Sequence, residues 1–399
     1  MTLFPSLAGA TRAPPLPCRI GRACSALANR SMKIAALGFC PVDVASPQKY
    51  FEDPAGMSEP SPTEIPQANA SVIDFIEKVR ARVATVVVGQ EVVVERLLIA
   101  LFTGGHVLLQ GVPGIAKTLL ASTLSRAIDL EFSRVQFTID LLPSDILGSE
   151  VLDQRTYEFR TVQGPIFTNL LLADEINRAA PKVQGALLEA MQERKVTIGK
   201  ETYALPAPFL VIATQNPVEQ AGTFELPEAQ LDRFMLCHRL GYPSPEDERE
   251  VLRRNLDLGI RREDRGAIAR TEFDMIAEQP IGSTEQLVSA MESVHDVHVS
   301  DAFLEHVVEL INRTRAHSAL ELGCSPRAGI AMIKASRARA LIHGRNYVLP
   351  EDLYALAEDV VLHRIRLNYE ALADGLTGPG VLQEMLNSLG RKAMTQAAS

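Results

Sequence analysis

Apolar positions along the chain fall into three regimes. From Ala68 they recur at helical spacing, with Ile73, Phe75, Ile76, Val79 and Val83 on one face, and a second helix from about Gln90 to Phe102 follows Val88-Gly89-Gln90. From His106 short apolar runs alternate with helices. His106-Val-Leu-Leu-Gln110, Arg134-Val-Gln-Phe-Thr138, Leu170-Leu-Leu-Ala173, Phe209-Leu-Val-Ile-Ala-Thr214 and Met235 to Leu240 read as strands; the Leu170 and Phe209 runs have the unbroken apolar character of strands buried on both faces. Helical stretches at 119–126, at 141–147 and from Pro181 to Arg194 lie between them, the last with Val183, Leu187, Leu188 and Met191 inward. Strands alternating with helices predict an α/β unit.

Two stretches break that alternation. Glu150 to Asp153 and Tyr157 to Val162 alternate around Gln154-Arg155-Thr156, which predicts a β-hairpin inserted into helical territory, and Thr197 to Tyr203 predicts a second hairpin turning at Gly199-Lys200. The first is either a tolerated surface excursion or a working part. The second reading is preferred, because functional loops are carried on rigid scaffolds.

Beyond Ser244 only helical patterns remain: 247–256, 284–294, 301–315, 326–342 and 350–367, several opening with Ser or with Pro in the first turn. The expected organisation is a tail and linker over 1–66, an α/β core over 67–243, a small all-α domain over 244–370 and a C-terminal tail over 371–399.

Composition narrows the classes. The chain has 399 residues, enough for two domains, and a formal charge of −9 that argues against sequence-independent nucleic-acid binding. No run of eighteen apolar residues offers a transmembrane span. Cys18, Cys24, Cys40, Cys237 and Cys324 form neither a C-x-x-C pair nor an even secreted framework, so thiols in a reducing cytoplasm are expected. Residues 1–66 are rich in Pro, Ser and Ala, with Arg12, Arg19, Arg22, Arg30 and Lys33 ahead of any acid. That composition formally fits a transit peptide; a disordered tail, or a first residue at Met32 or Met57, is the preferred reading.

The candidate chemistry starts at Gly111-Val-Pro-Gly-Ile-Ala-Lys-Thr118, which follows a strand and opens a helix. This is the order of a phosphate-binding loop, where backbone N–H groups and a helix N-terminus cradle phosphates, the lysine reaches the β/γ-phosphates and the hydroxyl ligates Mg²⁺. Ala116 stands where that pattern has glycine; because a Cβ disfavours φ > 0, it is expected near the right-handed helical region. Asp174 and Glu175 end a buried strand, where ligands bind in open α/β sheets, so Asp174 is expected to hold the Mg²⁺ shell and Glu175 to activate the attacking water. A helix N-cap pair is the alternative, which leaves the preceding apolar run unexplained. Asn216, at another strand tip, is a candidate partner of the γ-phosphate and the lytic water, or a turn residue before Pro217. Arg233 lies near an edge where a second copy could meet it. Arg327 sits in a helix's first turn, where a cation opposes the dipole until an anion relieves it.

Taken together, the 111–118 loop, Leu172-Ala-Asp-Glu-Ile-Asn-Arg178, Ala213-Thr-Gln-Asn-Pro217, Leu231-Asp-Arg-Phe234 and Ser325-Pro-Arg327 resemble the AAA+ ATPases. Asp174-Glu-Ile-Asn-Arg-Ala-Ala-Pro-Lys-Val-Gln-Gly-Ala-Leu-Leu-Glu-Ala-Met-Gln-Glu193 narrows the resemblance to the MoxR family, over roughly 73–367. The resemblance implies an AAA+ core with a parallel sheet and a helical lid, with ATP and Mg²⁺ as cofactors. It implies nucleotide contacts at Val88, Gly89 and Gln90 and from Gly111, Val112, Pro113, Gly114, Ile115, Ala116, Lys117 and Thr118 to Leu119. Thr118 and Asp174 would hold the metal, Glu175 and Asn216 would act on the water, Arg233 would serve as arginine finger (with Arg239 as the substitute), and Arg327 as sensor 2 would meet ATP lying between the core and lid of one subunit. It further implies that the 150–162 hairpin faces a central pore, and that a homo-oligomeric, hexameric ring remodels or matures client proteins with a von Willebrand A domain partner. A magnesium-chelatase motor subunit shares the hairpin, but the Asn177-Arg-Ala-Ala-Pro-Lys182 run favours MoxR. An ATP-sensing scaffold is a further alternative, against which Glu175 argues. The chain lacks the Gly-Ala-Phe-Thr-Gly-Ala loop of AAA+ transcription activators and the Asn-Lys-x-Asp signature of GTPases.

Overall fold

Alternation along three central strands shows why both faces of the sheet are covered. Val107 and Leu109, Leu170 and Leu172, and Leu210 and Ile212 enter one apolar cluster, while Leu108, Leu171, Ala173, Val211 and Ala213 enter a second on the opposite face. The computed structural model describes residues 67–397, apart from Pro113, Ile115, 218–221 and 264–265. The expected tail over 1–66 lies outside the described residues, as do the roles given to Pro113 and Ile115.

In chain order the core comprises α1 (Gln67–Ala84), α2 (Glu91–Thr103), β1 (Val107–Gln110), α3 (Lys117–Ala127), β2 (Phe132–Gln136), α4 (Pro143–Leu147), β3 (Gly148–Asp153), β4 (Glu158–Gln163), β5 (Leu170–Asp174), α5 (Pro181–Glu193), β6 (Lys195–Ile198), β7 (Glu201–Ala204), β8 (Leu210–Gln215), α6 (Glu228–Leu231) and β9 (Leu236–Arg239). Strands β2-β5-β8-β1-β9 form one parallel sheet in that order. The two expected hairpins are present as β3–β4 and β6–β7. They touch: the Tyr203 hydroxyl lies 3.0 Å from Thr161 Oγ1, and a Cβ on Gly199, at φ +59°, would collide with the Glu150 carboxylate.

The lid follows as α7 (Pro245–Asp257), β10 (Ile260–Glu263), β11 (Gly266–Ala269), α8 (Thr284–Asp296), α9 (Asp301–Ala316), β12 (Leu320–Leu322), α10 (Pro326–Ile342), α11 (Pro350–Val361), β13 (Arg366–Leu367), α12 (Tyr369–Ala373) and α13 (Gly378–Ala397). It is helical, with two short strand pairs, β10–β11 and β12–β13, where only helices were expected. The helix expected over 350–367 ends at Val361, because the chain turns through 362–364 and pairs with β12. The C-terminal tail expected from 371 is instead structured. Helix α13 buries Val381, Leu382, Met385, Leu386 and Leu389, a periodic face preceded by the breaker Gly378-Pro-Gly380.

Helix α2 joins the two parts. Ten of its thirteen residues are buried, because the sheet lies on one side and α8 and α10 on the other. Its buried charges are matched across that junction. Arg96 donates through Nε to Asp359 at 2.5 Å, and Glu95 takes Arg96, Arg339 at 3.3 Å and His343 at 3.1 Å. Burial alone would raise the Glu95 carboxyl; the His343 hydrogen bond and the two guanidinium groups overcome it and hold the pKa at about 2.

Candidate functional site

Because β8 lies between β1 and β5, three connections leave the C-terminal edge of the sheet side by side: the loop from Gly111, the Asp174-Glu175 pair and the turn at Asn216. This is the edge where open α/β sheets bind ligands.

The loop is built on left-handed backbone. Gly114 has φ +86°, and Ala116 has φ 51° and ψ 25°. The expectation that Ala116 lies near the right-handed region is overturned: it caps α3 from the left-handed side, its carbonyl accepting the first helical bond from Leu120 N–H at 2.9 Å. Reversal of hand next to a helix start is the backbone form of an anion nest, and the helix N-terminus adds its dipole. Nothing beyond its chain neighbours lies within 4 Å of a Cβ built at Gly114. Lys117 Nζ donates across the loop to Gly111 O at 2.9 Å. Burial lowers its pKa, and the carboxylates of Asp174 and Glu175 act against that shift.

Thr214 organises the acidic pair. Its hydroxyl donates to Asp174 Oδ1 at 2.6 Å and accepts from Glu175 N–H at 2.8 Å. Asp174 Oδ2 accepts from Arg134 at 2.7 Å. Glu175 is itself left-handed, at φ 58°, and its Oε2 accepts from Gln136 Nε2 at 2.7 Å and pairs with Arg178 at 2.9 Å. Asn216 is buried directly after β8. Thr118 and Asp174 offer the hard oxygen donors that Mg²⁺ takes, so the residues fit the metal. Thr214, Arg134, Gln136 and Arg178 went unnoticed in the sequence as parts of the site. The detectable signal was Arg134 and Gln136 alternating on a strand whose register sets Gln136 opposite Asp174.

Val88, Gly89 and Gln90 form the turn between α1 and α2, beneath α7. Gly89, at φ +67°, lies so close to Asp247 that a Cβ would meet its carboxyl at 2.5 Å, and Arg254 donates to Ala84 O and Thr85 O. Val112 is half-buried, and Leu119 is buried in the core.

Arg233 and Arg327 lie elsewhere. Met235 N–H donates to His106 O at 2.9 Å, which places Arg233 beside the start of β1, whereas the phosphate-type loop follows its end. Four strand residues separate the two edges, about 13 Å. Arg327 lies at the same edge as Arg233: its Nη1 is 3.6 Å from Asp232, and both arginines line a cavity of about 210 Å³ with His106, Met191 and Lys334. Arg327, for which contact with ATP of its own subunit was expected, thus lies with Arg233 and Asp232 rather than beside the 111–118 loop. Arg239 ends β9 opposite Gln110 in register, on the loop's own side.

Comparison with known proteins agrees with an α/β core followed by a helical lid. Residues 106–236 match the family described as "ATPase family associated with various cellular activities (AAA)", and 312–385 match the AAA lid domain. The chain is 42% identical to the chaperone MoxR1 of Mycobacterium tuberculosis over 85% of its own length and 89% of that protein. It is 31% identical to protein MoxR of Methylorubrum extorquens, covering 74% and 88%. The crystal structure of a candidate ATPase from Cytophaga hutchinsonii superposes with a TM-score of 0.73 at 42% identity, over 80% of this chain and 96% of that one. The chain is an ATP hydrolase and belongs to the MoxR family of AAA+ ATPases.

Proposed function

We propose that the protein is a cytoplasmic ring ATPase, hexameric in its working form, whose active sites are completed between subunits and whose turnover remodels or matures client proteins alongside a von Willebrand A domain partner. The observation that carries this reading is the second edge of the sheet. There, Arg233, Arg327, Lys334 and Arg364 line one cavity with a single acid, Asp232, among the described lining residues. Such a surplus of positive charge is matched by an anion, and the phosphates of a nucleotide on the next subunit supply one in a head-to-tail ring.

Within a site, Lys117 and the loop amides hold the β- and γ-phosphates. Glu175 orients a water for in-line attack on the γ-phosphorus and accepts its proton as the bond to ADP breaks, while Asn216 steadies water and phosphate. Mg²⁺ held by Thr118 and Asp174 would supply neutralisation of the phosphate charge. Arg233 and Arg327 of the neighbour act on the charge that spreads over the transferring group, where a finger arginine contributes on the order of 10³–10⁵ in rate. The β3–β4 hairpin, with Tyr157 82% and Phe159 70% exposed, is the surface offered to a client.

The test is a mixture of two inactive variants. Lys117→Ala lacks a nucleotide site but keeps its arginines, and Arg233→Ala is the reverse. Mixed, they are expected to recover about a quarter of wild-type turnover, the statistical share of good interfaces in random rings. No recovery in co-assembled rings would contradict a site shared between subunits. The magnesium-chelatase 38 kDa subunit of Acidiphilium rubrum is 31% identical over 54% of this chain, a shorter match than the MoxR proteins give.

A further inference from the structure

We propose that Asp232 is a positioning residue for hydrolysis in the neighbouring subunit, fixing Arg233 and Arg327 to the lid as one unit. The inference rests on the shared-site reading above and names the group that holds its two arginines in place.

The carboxylate of Asp232 is where three lid side chains meet. Ser325 Oγ is 3.0 Å from each of its oxygens, Arg364 Nε donates at 2.9 Å, and Arg327 Nη1 approaches to 3.6 Å. Ser325 is also the N-cap of α10, accepting from Arg327 N–H at 3.2 Å. One acid therefore connects the peptide preceding Arg233 to the turn bearing Arg327. Arg364 is buried, and its other nitrogens donate to Phe234 O at 2.6 Å and to Met235 O, while His363 Nε2 donates to Phe234 O at 3.2 Å. The whole 232–235 segment is thus held by the lid. Asp232 is also the counter-charge that keeps the cations of this cavity together before an anion arrives. In consequence the lid follows the nucleotide of the neighbouring subunit, through the arginines, more directly than the nucleotide on its own loop.

The experiment compares Asp232→Asn, isosteric but uncharged, and Ser325→Ala, which removes one partner and leaves no buried charge unpaired. Expected for Asp232→Asn are rings of wild-type size, binding of a fluorescent ATP analogue within twofold of wild type, and a kcat lower by at least about tenfold at similar KM. Ser325→Ala is expected to lose about threefold in the same direction. In mixed rings Lys117→Ala, with its intact Asp232, restores turnover to Asp232→Asn, and Arg233→Ala does not, since both defects lie on the arginine-donating side. Wild-type kcat in both variants, or a loss that Lys117→Ala fails to rescue, overturns the proposal. If Asp232→Asn does not assemble, Ser325→Ala with the same mixing decides. A fully active Arg233→Ala would defeat the shared-site reading itself; an inactive, rescuable Arg233→Ala beside a fully active Asp232→Asn and Ser325→Ala would defeat this inference alone.

Discussion

Ala116 holds a backbone that costs an L-residue about 1–2 kcal/mol, in a loop whose neighbours are set by the helix they open. Its small side chain is exposed, so the strain is tolerable for alanine and not for a β-branched residue. Ala116→Val is expected to weaken ATP-analogue affinity about tenfold, and Ala116→Gly to keep it within about threefold, measured by fluorescence titration. Equal affinities would show that the left-handed conformation is not needed for binding. Glu175→Gln removes the proton acceptor while keeping a hydrogen-bonding side chain beside Gln136 and Arg178. It is expected to bind ATP and hydrolyse it at least about 100-fold more slowly, and wild-type turnover by this variant would sink the general-base assignment. Lys117 and Thr118 stand out in the sequence because a Gly/Pro-rich loop leads into the helix they open, and Asp174, Glu175 and Asn216 because each sits at or just beyond a strand end. Thr214, Arg134, Gln136 and Arg178 were not, because their roles depend on strand order and register, which a linear pattern does not carry.

At the scale of elements, the strands of the core, both hairpins and most lid helices follow from periodicity alone. The structure departs from periodicity where tertiary contacts decide. The helix from Pro350 stops early to allow β12–β13 pairing, and α13 was hidden behind Gly378-Pro-Gly380 although its apolar spacing was present. Helix α2 was legible as a helix, but its buried Glu95 and Arg96 acquire meaning only from Asp359, Arg339 and His343 of the lid. His106 is another buried group with fixed partners: Nδ1 accepts from Val211 N–H at 3.0 Å and Nε2 donates to Met191 O at 3.2 Å. Burial lowers its pKa to about 4, so the folded protein keeps it neutral while an unfolded chain binds a proton below about 6.5. Its contribution is complete above pH 6.5 and is lost as pH falls toward 4, on the order of 3 kcal/mol in all. Glu95 adds a second loss below pH 4.5, as its depressed carboxyl is protonated on unfolding. Urea unfolding of wild type is expected to lose stability between pH 6.5 and 4.5, and His106→Gln to lose markedly less over that interval. Identical slopes would show that His106 is not the titrating group.

At the scale of the molecule, one sheet presents two edges with opposite needs: a nest for phosphates at one and a surplus of arginine at the other. In the proposed ring neither edge alone completes a site for phosphoryl transfer, and copies stacked head to tail would bring the two together. The lid belongs with the arginine edge, through Asp232, Ser325 and Arg364, so that γ-phosphate loss in one subunit is expected to move the lid of the next. An α/β part followed by a helical lid was legible in the sequence, but the edge that each arginine occupies was not, since it depends on how α10 and α11 return to the 232–235 segment. The most direct test of a site shared between subunits is ATPase rate per subunit as a function of protein concentration, with size-exclusion light scattering at each point, for wild type and Arg233→Ala. Specific activity is expected to rise with the population of rings, and Arg233→Ala to form rings that remain inactive. Turnover independent of concentration, or Arg233→Ala rings as active as wild type, would contradict the account.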